Sequence, residues 1–348
     1  MSSETVLWTL EVLLFLFFLF SVPFYLIYLI TLLLYRQHQD LRSSFFRIMF
    51  SLGINDLLMT SVQYVFQRSL FWHLLMPFHV WGGSRKLEWA SAVLLGLQRS
   101  QYLHVLSTTL NRFTAYMMPT RHDTIWSGQL TKWSIGLSWV LGLASTSYIP
   151  FLCEIRLHEP NGYNRTSLTS WHPELCLKVS LGGTGLLLFT LAPIFILSYG
   201  IMIAKACRKS NKVGPRHHDN DASRQTKTRR SLTIAGFVLS LLVILQAGQM
   251  SGAGFFRAHF EKNRDLYMMS VHVNSVVFSM INPYLICFCS SKFRALFLAL
   301  IRGWKLSLCS FWFGAADEHN ENTVQADSID ASATARHKRL FTGAETCL

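Results

Sequence analysis

Five stretches of this chain run for about twenty residues or more without a single Asp, Glu, Lys or Arg: Val12–Tyr35, Trp133–Cys153, Val179–Ala204, Ser231–Phe256 and Leu266–Ser291. Two further stretches carry one interior charge each, Asp56 within Ile48–Gln67 and Arg99 within Trp89–Leu110. A helix rises about 1.5 Å per residue, so about 20 mostly apolar residues cross the roughly 30 Å of bilayer hydrocarbon. Lipid offers no partner to a free backbone amide or carbonyl, which leaves the helix as the economical form for each stretch. The chain therefore reads as an all-α membrane protein, a seven-transmembrane helix bundle. Buried core helices of a soluble protein are the competing reading. Seven such runs in 348 residues, with charged residues only 15% of the total, argue against it.

Lys and Arg set the expected orientation. Arg36, Arg42 and Arg47 flank the first loop, and Arg112, Arg121 and Lys132 flank the third. The fifth is crowded with Lys205, Arg208, Lys209, Lys212, Arg216, Arg224, Lys227, Arg229 and Arg230. The alternate loops hold fewer, namely Arg68, Arg85, Lys86, Arg156, Arg165, Lys178, Arg257, Lys262 and Arg264. Cytoplasmic loops carry the Lys/Arg excess, so the N-terminus is expected outside and the tail inside. The net charge of +13 then sits beside anionic membrane lipid, and nucleic acid is not expected as a partner. The first span begins too near Met1, and runs too long, for a cleaved signal peptide.

The loop after the fourth span contains Asn164-Arg165-Thr166, an acceptor sequence that predicts glycosylation at Asn164 on the outside. Cys153 and Cys176 bracket the same loop and are the expected disulfide of an oxidising compartment. Cys207, Cys287, Cys289, Cys309 and Cys347 fall on the cytoplasmic side or deep in a span, where free thiols are expected. Beyond the seventh span, Phe293, Leu296, Phe297, Leu300, Ile301 and Trp304 recur at helical spacing beside Lys292, Arg294, Arg302 and Lys305. That pattern predicts a short amphipathic helix over 291–304, lying along the inner membrane surface. The organisation expected is one transmembrane domain over 1–305, with spans near 12–35, 48–67, 89–110, 133–153, 179–204, 231–256 and 266–291. A disordered cytoplasmic tail over 306–348 follows.

Enzyme chemistry finds no foothold. HExxH, GxSxG and Walker patterns are missing, and the thirteen histidines are scattered apart from His217-His218 in the basic loop. No metal and no cofactor is expected.

The charges inside the spans are more informative. A charged group at mid-membrane costs at least about 2.5–3.5 kcal/mol, so Asp56 and Arg99 must face the bundle interior. Counted from the cytoplasmic ends, both lie roughly 17–20 Å deep. Depth alone leaves two arrangements open, an ion pair between them or separate polar partners for each. Gln101 and His104 in the third span, Gln246 and Gln249 in the sixth, and His272 and Asn274 in the seventh add polar groups towards the outer side. With Arg99 they are the candidate lining of a ligand pocket, the plainer reading being hydrogen bonds between helices. Pro150, Pro193 and Pro283 mark expected helix irregularities.

Three segments together carry a resemblance: NRFTAYMMPTRHDTIW over 111–126, SLGINDLL over 51–58, and SMINPY over 279–284 ahead of SSKFR over 290–294. In these the chain resembles the nematode serpentine chemoreceptors of the srg superfamily, most of all serpentine receptor class V, over roughly 10–305. The wider rhodopsin-like pattern is matched in part. Asp56 is similar to its second-helix aspartate, Arg112 to its third-helix arginine and Trp139 to its fourth-helix tryptophan. Pro193 is similar to its fifth-helix proline and Asn282-Pro283 to its seventh-helix motif. Asn111 replaces the acidic neighbour of that arginine, Tyr284 follows Pro283 directly, and the sixth span has neither Pro nor Trp.

The resemblance implies a receptor in the plasma membrane of sensory neurons. It would take a small-molecule cue from outside and signal through a heterotrimeric G protein inside. Arg112, Asn111, Phe113, Asn282, Pro283, Tyr284 and Asp56 would form the coupling and switch set. A ligand-gated cation channel of seven helices is the first alternative, but it needs an inside N-terminus, against the Lys/Arg bias. A transporter should show two related halves, which the sequence lacks. A seven-helix protein that does not couple is the third. The terminal Thr346-Cys347-Leu348 fits the ending a PDZ groove adds as a strand, and Cys309 is a candidate for acylation.

Overall fold

The computed structural model describes residues 3–35, 41, 43–68, 83–158, 167–172, 174–210, 233–246, 248–249 and 264–303. Long helices dominate: α1 (Ser3–Leu34), α2 (Ser44–Val62), α3 (Gly83–Met117), α4 (Gly128–Ala144) and α5 (Glu174–Ser210). α6 (Thr233–Gln246), α7 (Arg264–Met280), α8 (Asn282–Cys289) and α9 (291–303) complete the series. A π-helical segment, Gln63–Arg68, extends α2, and single turns at His122–Ile125 and Ile149–Leu152 flank α4. Outer and inner ends are named below by the Lys/Arg bias. Asn164, Cys309 and Thr346-Cys347-Leu348 lie outside the described residues, as does most of the basic fifth loop.

Four of these helices are long and apolar enough to cross a membrane, over Thr5–Leu34, Ser44–Phe66, Gly128–Leu152 and Lys178–Lys205. Met269–Met280 and Asn282–Cys289 pass the same test together, bent by 45° at Ile281. Pro283 explains the break. It sits in the first turn of α8, where it withholds a backbone donor and crowds the turn before it. Pro193, by contrast, lies inside α5 without ending it.

α3 is long but polar, and its position accounts for that. It packs against α2, α4 and α5, whereas α1 packs against α2, α7 and α8. Gln98, Arg99, Ser100, Gln101, His104, Thr108, Thr109, Asn111 and Arg112 are all buried on α3, while Phe20 of α1 is 75% exposed. The bundle thus turns apolar side chains to lipid and polar ones to itself, as segments surrounded by hydrocarbon must. α3 and α4 cross closely. A Cβ on Gly142 would come within 2.6 Å of the Ser100 Cβ and backbone nitrogen, so only glycine fits there.

At the outer end, β1 (Glu154–His158) and β2 (Ser167–His172) form an antiparallel hairpin, with Glu154 opposite His172 and an irregularity between Arg156 and Leu157. The Cys153–Cys176 disulfide closes its base, joining the end of the fourth span to the first turn of α5. Around it Leu87, Ala92 and Ile149 form an apolar cluster, with Leu95 and Tyr148 packed against it.

Candidate functional site

Two buried charges organise the interior, and they take separate partners. Asp56 accepts hydrogen bonds from the Tyr25 hydroxyl of α1 and the Gln101 amide of α3, each at 2.5 Å, and from the Asn282 amide of α8. Gln101 Nε2 also donates to Ser279 Oγ at 3.0 Å, and Asn55 Nδ2 donates to the Leu97 carbonyl at 3.0 Å. One carboxylate therefore ties four helices together just below the break in the seventh span. Charge-assisted bonds of this kind are about twice as strong as neutral ones.

Arg99 points the other way. Gln101 is two residues on, about 200° around the helix, so the two side chains leave α3 on opposite faces. Arg99 Nε donates to Thr184 Oγ1 at 3.2 Å, Nη1 to the Ser145 carbonyl at 2.7 Å and Nη2 to the Ser180 carbonyl at 2.9 Å. The Gly142 crossing brings the Ser145 carbonyl, at the C-terminal end of α4, within reach. A helix C-terminus carries partial negative charge, which suits a guanidinium.

The other polar residues of the spans divide into small groups. His104 Nδ1 bonds the Ser100 carbonyl at 2.8 Å, and because a carbonyl can only accept, the ring proton lies on Nδ1. His104 Nε2 then accepts from Ser51 Oγ at 2.9 Å, and Ser51 accepts from Trp139 Nε1 at 2.9 Å. Near the outer ends, Gln63 Nε2 donates to His272 Nδ1 at 2.9 Å, and Tyr64 stacks on Phe18 with centroids 4.2 Å apart. Asn274 Nδ2 donates to Gln249 Oε1 at 3.1 Å, linking the outer ends of the last two spans. Gln246 and Tyr102 are fully buried, yet both amide atoms of Gln246 and the Tyr102 hydroxyl have no hydrogen-bond partner among the described residues.

At the inner end of α3 the Arg112 guanidinium lies 3.3 Å over the ring of Phe45 on α2, and Asn111 Nδ2 donates to Ser44 Oγ at 2.7 Å. Phe113 is half-buried. Beyond it, Thr114 Oγ1 receives the Trp126 Nε1 proton at 2.8 Å and lies 3.2 Å from His122 Nδ1, folding the inner loop onto α3. Tyr284 stacks on Phe24 at 4.5 Å and its hydroxyl is 3.0 Å from Ser21 Oγ, which anchors α8 to α1.

Residues 14–302 match the family profile described as serpentine type 7TM GPCR chemoreceptor Srv. The chain belongs to this family. No curated protein matches the sequence significantly. The molecule is accordingly a multi-pass membrane receptor with a seven-transmembrane helix bundle, and receptors of this family are not enzymes.

Sequence reasoning missed several features of the receptor's site. The Tyr25 donor to Asp56 sits in a uniformly apolar run, where nothing in the pattern separates it from lipid-facing aromatics, and the Phe45 ring beneath Arg112 sits in a short Ser-Phe-Phe-Arg segment at the edge of the second span. The hairpin did leave a signal: Ile155 and Leu157 alternate with Arg156 and His158 ahead of a Pro160-Asn161-Gly162 turn sequence. A groove of about 330 Å³ between α3 and α4 is lined by Leu103, Leu106, Leu130, Trp133, Leu137 and Leu141. Several of these side chains are among the largely exposed ones of α4, so the groove belongs to the lipid-facing surface.

Proposed function

We propose that this receptor binds a small-molecule cue in the outer half of its bundle and signals through a heterotrimeric G protein at the inner end. The observation that carries the reading is the pair of buried arginines on one continuous helix, about 20 Å apart by helical rise. Arg99 stands near the outer hairpin, and Arg112 stands where the inner loops meet α2. A ligand that pulls on the outer part of α3 shifts an equilibrium between two packings of the same bundle. In the packing described here the aromatic ring of Phe45 holds Arg112; in the other, Arg112 is released to a partner.

Asn111, Phe113, Asp56, Asn282, Pro283 and Tyr284 form the rest of the switch in this reading. Gln246, Gln249, His272 and Asn274 are the polar groups of the outer half on the last two spans, and Gln101, on the face of α3 opposite Arg99, links that half to Asp56. The plasma membrane of sensory neurons is the proposed location. A calcium or cyclic-nucleotide reporter in transfected cells tests the reading against a mixed metabolite panel. The expected result is a response that Arg112→Ala removes while surface labelling stays within about twofold of wild type. Undiminished signalling by Arg112→Ala would remove Arg112 from the coupling role.

A further inference from the structure

We propose that Arg99 is the recognition point for a carboxylate-bearing ligand, bound between α3, α4 and α5 beneath the disulfide-closed hairpin. The inference rests on the receptor reading above and adds to it the chemical class of the cue.

Arg99 is 5% exposed, and its three acceptors, Thr184 Oγ1 and the carbonyls of Ser145 and Ser180, are all neutral. Among the described residues no carboxylate bonds to it; Asp56, on the other side of α3, is bonded by Tyr25, Gln101 and Asn282. Its hydrogen bonds are therefore largely met while its charge is not. A buried cation without a counter-charge is costly to hold, and an anion that enters the site removes that cost. A neutral or cationic ligand does not.

The donor arithmetic agrees. A guanidinium has five N–H groups, and three are engaged. One N–H on each of Nη1 and Nη2 is left over, and each can donate to a carboxylate oxygen. Losing Arg99 would not strand the Ser180 carbonyl, which also receives the Thr184 hydroxyl at 3.0 Å.

The surroundings point the same way. Gly183 of α5 gives the guanidinium the room it occupies: a Cβ there would meet Nη2 at 3.3 Å and Cζ at 3.7 Å. One turn outward on α3, Leu95 begins the apolar cluster that the hairpin base closes, and Tyr148 packs against it. The buried Tyr148 hydroxyl has no hydrogen-bond partner among the described residues, so its proton is available to a ligand that reaches this cluster. One cation, one hydroxyl and an apolar roof match the usual composition of a small-molecule site, which is mostly apolar with a few placed polar groups. An acid with a hydrocarbon portion fits this composition, whether it arrives dissolved in water or partitioned into the membrane.

The test uses the full-length receptor in lipid nanodiscs and a thermal-unfolding readout. Sodium butyrate, hexanoate, decanoate and palmitate are compared with the matching primary amides and alkylamines. At least one acid should raise the melting temperature at a concentration about tenfold or more below its amide. Arg99→Gln should abolish that difference, and Arg99→Lys should retain part of it. Tyr148→Phe should weaken the acid several-fold without lowering the melting temperature of the ligand-free protein, which keeps the test open should Arg99→Gln fold poorly. A best response to butyrate or hexanoate identifies a water-borne acid, and one to decanoate or palmitate a membrane-borne one. If no acid outperforms its amide, or if Arg99→Gln keeps the preference, the carboxylate site is wrong. The receptor reading then still stands if neutral or cationic compounds evoke cellular responses that Arg112→Ala removes. If no class of compound evokes any, both fall.

Discussion

Two arginines buried on the same helix are seated against different neighbours. Arg99 is fixed by three directional hydrogen bonds to α4 and α5, each requiring its donor within a few tenths of an ångström of one place. Arg112 rests over the face of Phe45, an attraction that tolerates sliding and tilting and is worth about 2 kcal/mol when desolvated. The outer arginine is built to stay where it is until a better partner arrives. The inner one lies on a ring face that lets it shift. A difference of this size between the two ends of one rigid helix is what a signalling element needs: a specific input and a releasable output.

The comparison can be broken in four places. The largest effect is expected from Arg112→Ala, which should abolish reporter signalling at near-normal surface expression; full signalling would mean the inner arginine is only packing. Next comes Lys at each position. Arg99→Lys cannot keep the fork and should lose about 2–4 kcal/mol of stability, whereas Arg112→Lys, still a cation over a ring, should lose under about 1 kcal/mol. Thermal unfolding in nanodiscs reads both, and equal losses would erase the distinction drawn here.

Gly142→Val tests how the outer arginine is placed. Its side chain would collide with Ser100 across the α3–α4 crossing and push the Ser145 carbonyl away from Arg99. Overpacking of this kind costs about 1–3 kcal/mol. The melting temperature should fall, and it should fall less in an Arg99→Gln background, because part of the damage is already done. The smallest change is Phe45→Leu, which keeps the bulk but removes the ring face. A loss of about 1–2 kcal/mol from the resting packing shifts the equilibrium about 5- to 30-fold, seen as raised basal signalling. Unchanged basal output would show that the ring does not hold Arg112 back.

Much of the fold was legible because lipid imposes a length and a composition that few sequences meet by accident. Three of the charge-free runs fall on the long apolar helices Thr5–Leu34, Gly128–Leu152 and Lys178–Lys205, and Pro283 marked the break in the seventh span. The polar interior was legible only as a set. Sequence counting gives the depth of Asp56 and Arg99, which is similar, but not the direction each faces. Direction depends on how α3 is rotated against its neighbours, and the rotation is set by contacts such as Gly142 with Ser100 that no single segment announces. Gln101 illustrates the same limit: counted as pocket lining, it turns to Asp56 and Ser279. The hairpin escaped because a short period-two pattern inside a loop is weak beside spans of twenty apolar residues.

The 45° elbow at Ile281 has a mechanical consequence. The eight residues of α8 make a crank about 12 Å long, and a turn of only ten degrees about the elbow would swing its far end by roughly 2 Å. Asn282, the first residue past the joint, is pinned to the carboxylate of Asp56. Whatever loosens that pin converts a sub-ångström change at the centre of the bilayer into a displacement large enough to feel from the cytosol.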